Sequence, residues 1–206
     1  MKYKPLYCLL AVALGVVLTQ VSGPSPAPEA DYPATWAPVH ACIWAPELEL
    51  GSEEAISPYD NLMKTAAENI GWDWRMLAAM VYHESRFHNE AQSAKGAKGL
   101  MQIISQRYEE EELLNPARNL AIGTRYLHYL EGQFEAATPL ETKKFALAAY
   151  NLGEGKIGRL IEQTQARGRD ATRWDNVAQE LPEGHHTVAY VNKVLDTYFK
   201  YIELYR

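Results

Sequence analysis

Glu84 is the residue whose position in this 206-residue chain most clearly predicts chemistry. It follows Val81 by three residues, Met80 by four and Leu77 by seven, so on a helix it shares their apolar face. Apolar surroundings disfavour the charged carboxylate, which raises its pKa and lets the carboxyl act as a general acid near neutral pH. Periodicity alone leaves open the alternative that Glu84 ends its helix and reaches solvent.

The histidine beside this glutamate raises the question of a metal site. His83 and Glu84 begin a pattern like the zinc-protease motif HExxH, but the second histidine is His88, which makes the spacing HExxxH. Five helical residues turn by about 500°, so the two imidazoles would lie about 140° apart. His185 and His186 also lack a histidine one helical turn later. We therefore predict no metal ion.

Composition excludes several other functions. The 20 lysines and arginines against 26 aspartates and glutamates give a net charge of −6, which disfavours a nucleic-acid partner. Two cysteines, Cys8 and Cys42, are too few for a disulfide-stapled scaffold or a four-thiolate zinc site. Neither a phosphate-binding loop nor a dinucleotide-binding motif occurs, so we predict no cofactor.

The N-terminal part of the chain predicts export. Residues 1–23 combine two lysines, an uncharged and mainly apolar run at 6–18, and small residues suited to processing, which is the pattern of a signal peptide. The alternative is a signal that is retained as a membrane anchor. Residues 24–56 are rich in proline and predict an extended linker, and residues 57–206 are predicted to form the folded domain.

Helical patterns fill the predicted domain. Ser57-Pro58 can open a first helix that ends at Gly71, and Asp73 can cap a second. No alternating strand pattern with hairpin signals occurs, so we predict an all-α fold, or at most an α+β fold. The predicted helices cover residues 57–70, 74–87, 100–108, 142–151 and 187–205, and a further one begins at Asn115-Pro116.

Four segments of the domain, in this order, resemble the soluble lytic transglycosylase domain of the lysozyme-like superfamily. The first, at 77–103, contains Leu-Ala-Ala-Met, Glu-Ser-Arg-Phe and Gly-Leu-Met-Gln. The second, at 115–127, contains Asn-Pro, a later Asn, Gly and Tyr-Leu. The third, at 148–153, is Ala-Ala-Tyr-Asn-Leu-Gly, and the last, at 190–195, contains Tyr-Val and Val-Leu.

This resemblance implies a lysozyme-like helical fold with a substrate groove. It also implies a lyase that cleaves the β-1,4 bond between MurNAc and GlcNAc in peptidoglycan without water, forming 1,6-anhydroMurNAc. By analogy, Glu84 protonates the glycosidic oxygen and then, as a carboxylate, removes the proton from the C6 hydroxyl of MurNAc. That hydroxyl attacks C1 of its own sugar.

The resemblance also implies substrate-binding roles for four residues of the first segment, at 77–103. Ser85 and Ser93 would hydrogen-bond the sugar or the leaving side, with a capping or helix-end role as the alternative. Gln102 would point into the groove or hold a loop, and Met101 would offer an apolar surface to a sugar ring or pack in the core.

Three further residues receive roles from the later motifs. The Tyr150 hydroxyl would orient Glu84, with a core tyrosine as the alternative. Asn151 would bind an acetamido group or cap its own helix, and Tyr190 would form part of the groove wall.

One departure from the family pattern bears on substrate preference. The closing helix of the family is often preceded by Glu-Thr, where this chain has His186-Thr187, so residues 183–190 are expected to line the groove differently. Two other functions stay open. One is a hydrolytic lysozyme of the same fold, for which Glu90 and Asp175 are the candidate second acids, and the other is a non-catalytic module that binds the cell wall.

The expected partner is the glycan strand of peptidoglycan, and the sequence identifies no protein partner. An exported enzyme with this substrate would work in the periplasm or cell envelope, anchored to the membrane if the signal is retained. Neither the exolytic or endolytic mode nor a preference for particular stem peptides follows from the sequence.

Overall fold

The computed structural model describes residues 55–205, and they form a helical domain with no strand among them. The predicted all-α class is therefore confirmed. Two isolated β-bridges, Gln92 to Lys98 and Lys98 to Ile103, are the extended pairings in this part of the chain. The helices are α1 (Asp60–Glu68), α2 (Trp74–Ser85), α3 (Glu110–Leu114), α4 (Pro116–Glu131), α5 (Pro139–Leu152), α6 (Glu154–Ala166), α7 (Trp174–Val177) and α8 (His186–Leu204), with a 3-10 helix at Ala178–Glu180.

Helix α2 lies at the centre of the domain. The Asp73 side chain caps it by accepting a hydrogen bond of 2.9 Å from the Arg75 backbone N–H, as the sequence predicts. All residues from Met76 to Val81 are buried, and α2 packs against both α1 and α8. Because the faces of α2 that are apolar must be covered, α1 and α8 pack on it, while its last turn, with Tyr82, His83 and Glu84 partly exposed, reaches the surface of the domain.

Helix α5 is the second buried helix. Thr138 caps it through the Glu141 backbone N–H at 3.2 Å, and Pro139 occupies its first position, where a missing N–H costs nothing. Every residue from Phe145 to Tyr150 is buried. Contacts of α5 with α4, α6 and α8 bring its C-terminal end beside the start of α8.

The segment between α2 and α3 corrects a predicted helix. Residues 100–108 form turns and bends instead of a helix, since Lys98 and Ile103 form a β-bridge and Gln102 has a left-handed φ of 49°. The fully buried Asn119 of α4 holds this segment in place. Its Oδ1 accepts from the Met101 N–H at 2.8 Å, and its Nδ2 donates to the carbonyls of Lys98 at 3.0 Å and Leu113 at 2.7 Å.

Other boundaries differ modestly from the sequence predictions. Helix α1 begins at Asp60 rather than Ser57, because the Asp60 carboxylate accepts the backbone N–H groups of Ile56 and Ser57 and holds them in a turn before the helix. Helices α6 and α7 were not predicted at all. The spacing of Ile157, Leu160, Ile161 and Thr164 is the signal that could have indicated α6.

The predicted signal peptide, most of the predicted linker, and Cys8 and Cys42 lie outside the described residues. Within 55–205, none of the helices has the length and apolar character needed to span a membrane.

Two glycines with left-handed φ provide a matched test of this packing. Gly99 (φ 76°) lies against the Leu113 carbonyl and the Asn119 side chain, where a Cβ would overlap both, whereas Gly168 (φ 69°) has open space around it. We expect Gly168→Ala to cost about 1 kcal/mol of unfolding free energy from backbone strain alone. Gly99→Ala should cost about 3 kcal/mol or more, because overlap adds to strain. Urea unfolding of both variants measures the difference, and equal losses would contradict this packing.

Candidate active site

The carboxyl of Glu84 lies in the last turn of α2, next to Ser85, the final residue of that helix. The side chain is partly exposed, so solvent and ligands can reach it. Protein atoms nevertheless surround most of the carboxyl group. This burial is the main cause that raises the pKa of Glu84 from its usual value near 4.5 to about 7. Near neutral pH, Glu84 is therefore present in both its protonated and its ionised form.

Tyr190 of α8 provides the hydrogen bond to this carboxyl. Its hydroxyl donates to Oε1 of Glu84 at 2.6 Å, and this hydrogen bond lowers the pKa of Glu84, opposing the effect of burial. Burial and the nearby carboxylate in turn raise the pKa of the Tyr190 hydroxyl, which keeps it a donor. Sequence analysis predicted Tyr190 only as part of a groove wall, so the structure gives it a more specific contact.

Tyr150 lies close to Glu84 but has a different hydrogen-bond partner from the one predicted. Its hydroxyl donates to the backbone carbonyl of Met101 at 2.8 Å. Burial, followed by the charge of Glu84, raises the pKa of Tyr150. The predicted role in orienting Glu84 is therefore corrected, since Tyr190 makes that hydrogen bond and Tyr150 ties α5 to the turn at 99–102.

The side chains of Met101 and Gln102 mainly stabilise this turn and its packing. Met101 is fully buried and packs against Gly123 of α4, which favours the core-packing alternative over contact with a sugar. The Gln102 amide donates to the carbonyls of Ala91 and Gly99, each at 3.1 Å, which matches the alternative of a loop-holding amide. Gln102 is nevertheless partly exposed.

The two predicted serines both make local hydrogen bonds. Ser85 is buried and donates to the Val81 carbonyl at 3.2 Å, one helical turn earlier. Ser93 is exposed, and its hydroxyl accepts the N–H groups of Lys95 at 3.3 Å and Ala97 at 3.0 Å. Ser85 thus takes the helix-end role, and Ser93 stabilises a turn while staying open to solvent.

Asn151 joins α5 to the start of α8. Its Oδ1 accepts from the Thr187 hydroxyl at 2.8 Å, and Thr187 is fully buried. The described hydrogen bond of the Asn151 side chain therefore runs to α8, and at the end of α5 the backbone N–H of Gly153 donates to the Ala149 carbonyl at 2.7 Å. Asn151 is partly exposed and lies next in sequence to Tyr150.

Comparison with known proteins now decides the family. The model of the Transglycosylase SLT domain matches residues 61–172, more than half of the chain. The chain belongs to this family. The resemblance drawn from the four sequence motifs is thereby confirmed.

Relatives and solved structures agree with this SLT assignment. The membrane-bound lytic murein transglycosylase F of Desulfosudis oleivorans is 32% identical over 157 residues, covering 66% of this chain and 35% of the relative. The protein of the same name from Maricaulis maris is 31% identical over 162 residues, covering 69% and 36%. The chain therefore spans about a third of the length of these relatives. The 70 kDa soluble lytic transglycosylase from Escherichia coli aligns with a TM-score of 0.56 and 28% identity, over 70% of this chain and 24% of that one.

Sequence analysis gave no role to one side-chain pair that lies next to Tyr150. Tyr126, on α4, donates to Oε2 of Glu154 at 2.8 Å, and its ring lies 5.5 Å from that of Tyr150. Tyr126 lies in the second motif and Glu154 directly follows the third, so their positions at motif edges were the available signal.

The histidines near Glu84 bind other protein groups. Nε2 of His83 lies 2.8 Å from the Thr197 hydroxyl, and Nδ1–H of His88 donates to the Ser85 carbonyl at 3.0 Å. Among residues 55–205, no three histidine, cysteine or acidic side chains are grouped in a way that could hold a metal ion.

Removing the tyrosine hydroxyl should change the titration of Glu84 in a defined direction. Because the Tyr190 hydrogen bond lowers the pKa of Glu84, Tyr190→Phe should move the midpoint upward from about 7. Tyr150→Phe is the matched control and should leave the midpoint near 7, since its hydroxyl donates to Met101. Carbon-detected NMR of the labelled Glu84 carboxyl measures all three midpoints. A wild-type midpoint near 4.5, or no shift in Tyr190→Phe, would contradict this geometry.

Proposed function

We propose that this chain is a peptidoglycan lytic transglycosylase that cleaves the β-1,4 bond between MurNAc and GlcNAc without water and leaves a 1,6-anhydroMurNAc end. The observation that carries the proposal is a single reachable carboxyl, Glu84, with a pKa of about 7 and a hydrogen bond from Tyr190. The names of the matched relatives, lytic murein transglycosylases, support the same reaction.

In the first step, protonated Glu84 donates its proton to the glycosidic oxygen as the bond from that oxygen to C1 of MurNAc breaks. A pKa near the working pH suits this role, because a substantial fraction of the acid is protonated and it still releases its proton readily. Since Tyr190 donates to Oε1, the proton of neutral Glu84 resides on Oε2, which is the oxygen that faces the substrate in this proposal.

In the second step, the Glu84 carboxylate removes the proton from the C6 hydroxyl of the same MurNAc. The C6 oxygen then bonds to C1 and closes the 1,6-anhydro ring, and Glu84 is protonated again. Because nucleophile and electrophile belong to one sugar, the attack has a high effective molarity and needs no activated water. One carboxyl therefore serves both steps.

A hydrolytic lysozyme of the same fold would need a second acid beside the substrate to position or replace water. Of the candidates, Glu90 is exposed and its charge acts on Tyr59, while Asp175 is exposed and forms an ion pair with Lys144 at 3.4 Å. Burial raises the pKa of Glu84, with no described carboxylate contributing to that shift. This arrangement favours the one-carboxyl reaction.

A non-catalytic wall-binding module is the other alternative. Holding a carboxyl in surroundings that raise its pKa to about 7 destabilises the folded protein whenever that carboxyl is ionised. A groove that only binds sugar does not need a carboxyl with a raised pKa, so it would lose stability without any benefit to binding. The geometry of Glu84 therefore favours an enzyme.

For substrate binding, we propose direct contacts from residues that stay open to solvent. Ser93, Gln102, Asn151 and Tyr190 are exposed or partly exposed, and they remain proposed substrate contacts. The buried residues Ser85, Met101 and Tyr150 are proposed to act by shaping the groove from behind.

The location follows from the proposed substrate. Peptidoglycan lies outside the cytoplasmic membrane, so we propose that the domain at 57–206 works in the periplasm or cell envelope after export directed by residues 1–23. The relatives named membrane-bound support an envelope location. The glycan strand is the proposed partner.

Mass spectrometry of the muropeptides released from purified peptidoglycan tests the reaction. Wild type should release products that lack one water relative to hydrolysis products. Glu84→Gln should reduce release about a thousandfold, because it removes the acid and base while keeping the side-chain size. Glu90→Gln is the matched control and should release the same products as wild type. Products that carry the added water would make the protein a lysozyme, and no release with intact binding would make it a wall-binding module.

A further inference from the structure

A cluster of three basic side chains lies where α6 and α8 begin. Lys156 is in the first turn of α6, His185 directly precedes α8, and His186 is its first residue. The two imidazole rings are 4.3 Å apart, and the Lys156 charge lies close enough to act on His185.

One hydrogen bond and two short separations along the chain place this cluster beside the candidate active site. The hydrogen bond from Thr187 to Asn151 joins the start of α8 to the end of α5, and the chain reaches Lys156 only five residues after Asn151. Tyr190 follows His186 by four residues, so the two share a face of α8 at a separation of about 6 Å along the axis. Helical side chains lean toward the N-terminus, so the Tyr190 ring leans toward His186.

No acidic side chain neutralises the cluster within residues 55–205. Lys156 is partly buried and forms no ion pair with a described residue. Glu154 lies two positions earlier on α6, about 200° away around the helix, and its carboxylate accepts from Tyr126.

The hydrogen-bonding state of His185 makes it a donor toward a ligand. Its Nδ1 accepts from the Thr187 backbone N–H at 3.2 Å, so Nε2 carries the ring proton. Burial, with the charges of His186 and Lys156, lowers the pKa of His185 and favours this neutral form. The cluster therefore offers an ammonium and imidazole N–H groups together, a set of donors that suits a carboxylate.

We propose that Lys156, His185 and His186 bind a carboxylate carried by a MurNAc unit of the glycan strand in the groove. This inference rests on the proposed function for the identity of its ligand. Two carboxylates of peptidoglycan have the required chemistry: those of the stem peptide, and the lactyl carboxylate that becomes free when the peptide is removed. Binding here would make the enzyme sensitive to the peptide state of the glycan.

Calorimetric titration of the Glu84→Gln protein tests this site without turnover. The ligands are GlcNAc–MurNAc oligosaccharides with stem peptides, the same oligosaccharides after amidase treatment, and a GlcNAc oligomer of equal length that has no carboxylate. Adding Lys156→Met should weaken binding of at least one carboxylate ligand about tenfold, since a charge-assisted contact is lost. Lys200→Met, at an exposed lysine late in α8, is the matched control and should change nothing.

The three ligands separate the outcomes. A loss confined to the peptide-bearing ligand identifies a stem-peptide carboxylate, and a loss confined to the stripped ligand identifies the lactyl group. Unchanged affinity for the GlcNAc oligomer shows that the variant is folded. A loss for both carboxylate ligands shows that the cluster accepts either carboxylate. The proposal is overturned if adding Lys156→Met leaves the affinity of Glu84→Gln unchanged for both carboxylate ligands, or if the GlcNAc oligomer loses as much affinity as they do. Failure of the proposed reaction is read separately, as the absence of anhydro products from wild type.

Discussion

The hydrogen bond from Tyr190 to Glu84 joins the C-terminal turn of α2 to α8 across a distance of 106 residues in the chain. Two opposing effects meet at this carboxyl. Burial disfavours its charge and raises its pKa, while the tyrosine hydroxyl stabilises that charge and moderates the shift, with a balance near 7. A carboxyl left in water would be ionised at neutral pH, and one buried without a donor would hold its proton too firmly to act as an acid.

The rest of the domain maintains this balance. Helix α2 is buried from Met76 to Val81, which fixes where its last turn ends. The Thr187–Asn151 hydrogen bond sets the start of α8 against α5, so Tyr190 reaches Glu84 one turn later. Asn119 holds the turn at 99–102, and the Met101 carbonyl of that turn accepts the Tyr150 hydroxyl. These hydrogen bonds connect separate helices, so the loss of one of them would shift the position of the Glu84 carboxyl.

Much of this arrangement could be predicted from local sequence, and the remainder depends on distant contacts. The Asp73 cap, the Asn115-Pro116 helix start and the apolar face beneath Glu84 are properties of a few neighbouring residues, and all three occur in the structure. Residues 100–108 have apolar spacing that resembles a helix, but the side chain of Asn119 decides their conformation. Motif position alone could not assign the hydrogen bond to Glu84 between two tyrosines, because that depends on how α5 and α8 pack.

The pH dependence of kcat/KM for release of anhydro products tests the central claim most directly. If Glu84 must begin the reaction protonated, its raised pKa places the active form below about pH 7. Activity should therefore be nearly constant at mildly acidic pH and fall about tenfold for each further pH unit above 7. A profile that instead loses activity toward acid with a midpoint near 4.5, or that stays flat from pH 6 to 9, would contradict the account.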